Sequence, residues 1–294
     1  MALPVSGPLS FSQIQTEFGG TNPISINEYY RGGAFVTSNN TNVPTSGLIR
    51  VSNFYGGVKQ FALTISSNLS TPQNLRSLVL AAGWNGSDAV LVTNNARITS
   101  NTTGSPALTI NGSFPNGLSF VNNGYVVGMG GFGAQYDNPG SPGGPAMSVS
   151  STVSITNNGT IAGGGGGGGA GSSWGWNGLI RSTPGSGGAS GLTQAGAYGP
   201  IYGGAYGDVG GQPSQFNGAT GMYSTPGASQ NWGYGGRVSS YGGAGGTWGA
   251  QGQQGGSPDG GVGGGYLGGA GGACLTGVSF VTWVATGSRF GAIT

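Results

Sequence analysis

Charge is what this sequence has least of. Eight Lys or Arg and six Asp or Glu make up 5% of 294 residues, where ordinary soluble domains carry about 25%. The net charge is +2 and the basic residues stand singly, so no patch forms an electrostatic footprint for nucleic acid or an anionic membrane. Histidine is absent and Cys274 is the one cysteine. That removes Ser-His and Cys-His nucleophile pairs, His- and Cys-based zinc sets and an intrachain disulfide framework. With no histidine to activate it, Cys274 reads as a small buried apolar residue. No apolar run approaches about 20 residues, so no membrane insertion is expected. The start, "MALPVSGPLS", lacks the basic and apolar regions of a signal peptide. An extracellular role would then follow lysis of a host cell rather than general secretion.

The scarcity of carboxylates also bears on hydrolysis. Glycoside cleavage uses two carboxylates about 5 to 10 Å apart. Outside the first 57 residues only Asp88, Asp137, Asp208 and Asp259 are available, and no two are local in sequence. "DNPGSPGG" and "SPDGG" lack the acidic density of a calcium loop, and "GGGGGGG" lacks the Gly-Lys-Ser/Thr ending of a phosphate loop. No metal, cofactor or catalytic residue is expected.

What the chain has instead is glycine, 69 residues of it, with aromatics at 10%. Simple disorder would show high net charge and few aromatics, and collagen would show a strict triplet rich in proline. Neither fits. Three short units open the sequence: "PLSFSQIQTEFGG" (8–20), "PISINEYYRGG" (23–33) and "GLIRVSNFYGG" (47–57). Alternation at Leu9 and Phe11, Ile24 and Ile26, and Ile49 and Val51 predicts a short extended segment in each. Ser12, Asn27 and Ser52 are then N-caps, with Gln15 completing a capping box, and the Gly-Gly pairs end each helix. Residues 1–57 thus form strand-helix elbows, a compact module expected to fold against a partner or against copies of itself.

Residues 58–127 read as a β-rich middle domain. "VKQFALTISS", "DAVLVTNN", "NARITSNTT" and "ALTIN" carry strand signal. "TPQNLRSLVLAAGW" predicts a helix with Thr71 as N-cap, Pro72 first, and Leu75, Leu78 and Val79 on one face. The ending "GVSFVTWVATGSRFGAIT" alternates at Val278, Phe280 and Thr282, predicting a strand that returns to this domain, so 275–294 completes it.

A repeat links the middle domain to the glycine-dense part. "FVNNGYVVGMGGFGA" (120–134) aligns with "ITNNGTIAGGGGGGG" (155–169) at an offset of 35 residues, which implies stacked units. Gly124 and Gly159 are expected to supply the positive φ of tight turns. Across 128–274 glycine runs recur, some as Gly-Gly-X triplets with the period of polyproline II. Such helices have no internal hydrogen bonds, so ordering them requires lateral bonding in a bundle. Between the runs lie segments with the Tyr, Trp, Ser, Gly and Asn composition of binding loops. The candidate receptor-binding residues are Trp174, Trp176, Tyr198, Tyr202, Tyr206, Tyr223, Trp232, Tyr234, Tyr241 and Trp248. The expected fold class is mostly β with little helix: elbows, a β-rich domain, and a glycine-rich polyproline II bundle as head.

The opening elbows, the "NNGTIAGGGGGGG" unit and the ending "FVTWVATGSRFGAIT" resemble bacteriophage tail-fibre and structural proteins. The glycine-dense part is similar in style to tip adhesins of T-even-like phages. The resemblance implies a virion protein of the tail fibre, a sandwich of polyproline II helices that displays host-recognition loops, and no enzymatic activity. It implies two partners: a host surface receptor, either a glycan or an outer-membrane protein, and other virion tail proteins held through 1–57. A homotrimer and a single copy both suit such a fibre. The chain departs from those adhesins in its less regular glycine runs and in its N-terminal elbows. A purely structural virion protein, a polysaccharide depolymerase and an ice-binding protein are the competing readings; irregular aromatic loops disfavour the last.

Overall fold

The computed structural model describes residues 2–134, 138–174, 180–183, 230–234, 237–243, 245–256 and 265–294. The first 57 residues hold α1 (Phe11–Phe18) and two 3-10 turns, Ile26–Tyr29 and Val51–Phe54. Each starts two residues earlier than expected. The N–H of Ser10 donates to Gln13 Oε1, that of Ser25 to Glu28 Oε1 and that of Arg50 to Asn53 Oδ1, each at 2.8 Å. The N-caps are therefore Ser10, Ser25 and Arg50, not Ser12, Asn27 and Ser52. Gln15 closes no box, because its side-chain amide is drawn to the Gly20 carbonyl and Asn22. The expected strands are also absent here: Phe11, Ile26 and Val51 are first helical residues, so each apolar pair straddles a cap rather than running along a strand.

The three turns bury equivalent side chains in one core. Ile14, Tyr29 and Phe54 are fully buried together, and Phe18 touches both rings at 6.5 and 6.1 Å. At the exit from this core, Glu17 Oε1 accepts the Lys59 N–H at 2.8 Å, and Asn40 exchanges two hydrogen bonds with the main chain of Val58.

Beyond it the chain winds through three parallel sheets. β1 (Gln60–Ile65) opens the stack. Rungs of three strands follow: β2 (Gln73–Asn74), β3 (Ala89–Asn94) and β4 (Arg97–Thr99); β5 (Leu108–Ile110), β6 (Leu118–Asn122) and β7 (Tyr125–Val127); β8 (Met147–Val149), β9 (Val153–Asn157) and β10 (Thr160–Ala162). Two antiparallel hairpins intervene, β11 (Gly171–Trp174) with β12 (Ile180–Thr183), and β13 (Gln230–Tyr234) with β14 (Arg237–Gly242). The last rung is β15 (Leu275–Thr276), β16 (Val281–Ala285) and β17 (Ser288–Phe290). The sheets run β1-β3-β6-β9-β16, β4-β7-β10-β17 and β2-β5-β8-β15. Successive strands thus enter different sheets, and every rung sits on the previous one as a coil of a three-sided solenoid. The third rung lies within 128–274, so that stretch contributes sheet as well as glycine runs.

Inward side chains stack from coil to coil. Val92, Phe120 and Ile155 share one column, and Ile98, Val126 and Ile161 another, all essentially inaccessible. Each such side chain contributes about 1.5–3 kcal/mol on burial. The 35-residue offset is the stacking register itself, pairing Phe120 with Ile155 and Tyr125 with Thr160. The helix α2 (Leu75–Ala81) sits in the first corner with Leu75 and Val79 buried. Its N-cap is Asn74, which accepts the Ser77 N–H at 3.1 Å, and not Thr71, because residues 73–74 are taken into pairing with β5. At the other end, Val278–Phe280 forms a 3-10 turn, so the strand begins at Val281 and not at Val278. Over this end rung the Arg289 guanidinium stacks 4.9 Å from the Trp283 ring.

The Asn-Asn pairs hold one corner of the solenoid. Buried Asn94, Asn122 and Asn157 form a chain: Asn94 Nδ2 donates to Asn122 Oδ1, Asn122 Nδ2 to Asn157 Oδ1, both at 2.8 Å, and Asn157 Nδ2 to the Thr286 carbonyl at 2.7 Å. Beside it Asn95, Asn123 and Asn158 form a second, exposed chain at 2.8 and 2.9 Å. Neither Gly124 nor Gly159 takes the positive φ expected of it. Glycine is required there for closeness: a Cβ at Gly124 would lie 2.0 Å from the Ala96 carbonyl oxygen in the coil beneath.

Asn122→Ala removes the middle of the buried chain and orphans a donor and an acceptor, which lowers stability by about 2–4 kcal/mol. Asn123→Ala, in the exposed chain, costs less than about 1 kcal/mol. Chemical denaturation of the two variants measures the difference.

Candidate functional site

The glycine runs leave the solenoid at one corner. Residues 128–146 connect β7 to β8, and 163–274 connect β10 to β15. Among the described residues of these stretches the packing is made by main chain rather than by a core of large side chains. The N–H groups of Gly128, Gly131 and Ala134 donate to the carbonyls of Ala162, Gly165 and Gly168 at 2.9, 2.7 and 2.9 Å. Those of Gly249, Gly246 and Gly243 donate to Gly163, Gly166 and Gly169, and those of Gly272, Gly269 and Tyr266 to Gly164, Gly167 and Ala170. The carbonyls of the tract 163–170 therefore serve three neighbouring segments, each third one the same neighbour. Its own amides are used likewise: Gly164, Gly167 and Ala170 donate to Gly144, Ser141 and Asn138, while Gly163, Gly166 and Gly169 donate to Phe290, Ala250 and Gln253.

This arrangement leaves no room for a Cβ. At Gly167 one would stand 1.9 Å from the Phe132 carbonyl oxygen. That approach is far inside van der Waals contact, so the lattice demands glycine for space and not for an unusual φ.

The tract runs directly into the hairpins, since Gly171 opens β11 after Ala170. β11 pairs with β12 from Gly171 opposite Thr183 to Trp174 opposite Ile180. β13 pairs with β14, with an irregularity between Trp232 and Gly233, and β14 lies beside both β11 and β12. Four candidate aromatics fall on these strands: Trp174 on β11, Trp232 and Tyr234 on β13, and Tyr241 on β14. Trp176, Tyr198, Tyr202, Tyr206 and Tyr223 lie outside the described residues.

Trp248 stands apart from the others. It packs half-buried between Tyr125 and Phe290, ring centroids 6.4 and 5.9 Å away, where the lattice meets the sheet β4-β7-β10-β17. The sequence carried no signal for this, because "GGTWGA" has the same texture as the aromatic segments.

Cys274 is buried at the same junction. Its thiol donates to the Ile161 carbonyl at 3.3 Å, and burial pushes its pKa up to about 11. The group is a protonated packing element at neutral pH, not a nucleophile.

A solenoid joined to a glycine lattice and to hairpins that carry Trp174, Trp232, Tyr234 and Tyr241 has a counterpart among known families. The family model for the phage tail fibre adhesin Gp38 matches residues 60–294. The chain belongs to that family. The adhesin is thus a phage tail fibre component that binds a host receptor, and its family is one of non-enzymatic receptor-binding proteins. The depolymerase reading falls with that assignment. The adhesin's fold is similar to the crystal structure of the gp37-gp38 adhesin tip complex of the bacteriophage S16 long tail fiber. The TM-score is 0.59 at 24% identity, covering 99% of this chain and 100% of that one. No curated protein matches the sequence.

Gly167→Ala in the adhesin forces neighbouring segments apart, a loss of about 3 kcal/mol or more. Gly104→Ala, exposed and with its nearest atom 3.8 Å away, changes stability by less than about 0.5 kcal/mol. Thermal unfolding compares them, and amide exchange of residues 163–170 is faster in Gly167→Ala alone.

Proposed function

We propose that the adhesin meets its receptor with the aromatic side chains of the region 172–241, held at the end of a rigid polyproline II bundle. The period-three lateral hydrogen bonding around residues 163–170 carries this reading. Three residues per turn, no bonds within a segment and donors and acceptors spread over three sides are the properties of a polyproline II helix. A bundle of them fixes the bases of the hairpins β11–β12 and β13–β14. Trp174, Trp232, Tyr234 and Tyr241 then join Trp176, Tyr198, Tyr202, Tyr206 and Tyr223 as the recognition set. Rigid aromatics give contact area with few rotors to freeze, and their faces suit sugars while their edges suit the loops of an outer-membrane protein. Trp248 belongs to the base of the bundle.

Attachment falls to residues 1–57 in this proposal. Support comes from their separate core and from the three capped turns, whose outward faces are otherwise unused. The similar S16 structure is a complex of gp38 with gp37. A fibre protein of the gp37 kind is accordingly the partner assigned to the module.

Alanine replacement of Trp232 with Tyr234, or of Trp174 with Trp176, reduces adsorption to host cells by at least about tenfold with unchanged thermal unfolding. Wild-type adsorption in every such pair would assign the hairpins a structural role. Deleting residues 1–57 has the opposite signature: the remaining chain still binds cells but no longer co-purifies with virions.

A further inference from the structure

We propose that the solenoid carries a second ligand site, a slot for one neutral saccharide ring at the corner between the sheets of β5-β8-β15 and β6-β9-β16. A groove of about 280 Å³ lies there, lined by Gly112, Phe114, Ser150, Ser151, Thr152 and Phe280. Its volume is at the small end of ligand pockets, about 300 Å³, and suits a monosaccharide unit.

The groove follows from unequal corners in three stacked coils. Between β5 and β6 the corner has seven residues, 111–117, and carries Phe114. Between β15 and β16 it has four, 277–280, and carries Phe280. The coil between them turns in three, Ser150, Ser151 and Thr152, with no large side chain. The rung order β5-β8-β15 and β6-β9-β16 places this short corner between the two aromatic ones. Neighbouring strands are about 4.8 Å apart, so the backbones bearing Phe114 and Phe280 are separated by about 9.6 Å. Aromatic rings in direct contact have centroids about 4.5–7 Å apart. Phe114 and Phe280 thus flank the short corner from the coils on either side and both line the groove.

Wall and floor chemistry select the ligand. Ring faces are electronegative and attract the polarised C–H bonds of a pyranose. Phe114 is anchored from behind, stacked on Trp84 at 5.3 Å, while Phe280 is 41% exposed. The floor offers three hydroxyls. Ser151 Oγ donates to the Gly112 carbonyl at 2.5 Å and keeps its acceptor capacity, and Ser150 and Thr152 are exposed to solvent. No lining residue is ionisable, so a charged sugar would find no counter-ion. Arg76 flanks the groove beside Gly112, its Nε donating to the Ser113 carbonyl and its guanidinium 5.8 Å from the Trp84 ring. The site lies on the solenoid, apart from the hairpins of the receptor-binding region, and gives the adhesin a weak hold on surface glycan.

Titration of full-length, phenylalanine-labelled adhesin with D-galactose, D-glucose and N-acetyl-D-glucosamine, followed by NMR, tests the site. The Phe114 and Phe280 ring signals shift saturably with at least one sugar, with affinity on the order of millimolar. Ser150→Trp fills the slot and removes the shifts, and Phe280→Ala weakens binding at least tenfold by the Phe114 signal while unfolding as wild type. Ring signals unmoved by all three sugars, or shifts that persist in Ser150→Trp, would overturn the proposal. Loss of cell adsorption in the hairpin variants with these shifts intact supports two separate sites, so the two proposals fail independently.

Discussion

The described solenoid and glycine lattice of this adhesin depend on main-chain hydrogen bonds made sideways, between segments far apart in sequence. In the solenoid they join strands with a side-chain period of two, and in the glycine lattice they join segments with a period of three. Ordering a residue costs about 1–2 kcal/mol of backbone entropy, and one such bond returns about 0.5–1.5 kcal/mol net. A segment bonded along one side alone would not hold. The tract 163–170 is bonded on several sides, with carbonyls accepting from three segments and amides donating to further partners. The lattice also has to start somewhere, and it starts on the sheets: Gly163 donates to Phe290 of β17, and Gly128 to Ala162 of β10. The solenoid is thus the template that sets the register of everything beyond it.

Stacking in register explains which parts of the fold were legible in the sequence. The 35-residue offset between 120–134 and 155–169 survives as a literal pairing of residues, because two consecutive coils place equal numbers of residues between their Asn-Asn corners and the following strands. The coil before them escaped the same comparison. Its Asn94-Asn95 is followed by Ala96 rather than glycine and stands 28 residues from Asn122, since its corners differ in length. The role given to Gly124 was wrong for a related reason. A glycine that avoids a clash with a neighbouring coil and one that adopts positive φ look identical in sequence, and the long-range contact with Ala96 decides between them.

The N-terminal turns show the complementary failure. Their existence was readable, but only the first stops at its glycine, Gly19, while the others end at Tyr30 and Tyr55, and each N-cap lies two residues before the one expected. Ser12 and Gln15 have the same spacing as Ser10 and Gln13, and the tie is broken by Gly20 and Asn22, which take up the Gln15 amide. Among the candidate aromatics, local composition likewise could not separate Trp248 from Trp232. One lies on a hairpin strand and the other packs against Tyr125 and Phe290, residues more than 40 positions away in either direction.

The poverty of charge with which the sequence announces itself follows from the same construction. A Lys or Glu needs a Cβ and a path to water, and the glycines 163–167 and 169 have neither, because each Cβ vector there ends on a carbonyl oxygen 1.8–2.0 Å away. The solenoid columns are apolar for the usual reason of burial. The buried polar side chains described in the solenoid are uncharged: the hydroxyls of Thr99 and Ser100, and the amides of Asn94, Asn122 and Asn157, which satisfy one another along the stack. An amide both donates and accepts, so identical residues can chain indefinitely, whereas identical charges in the same column would repel. Repetition along an axis therefore selects against ionisable side chains.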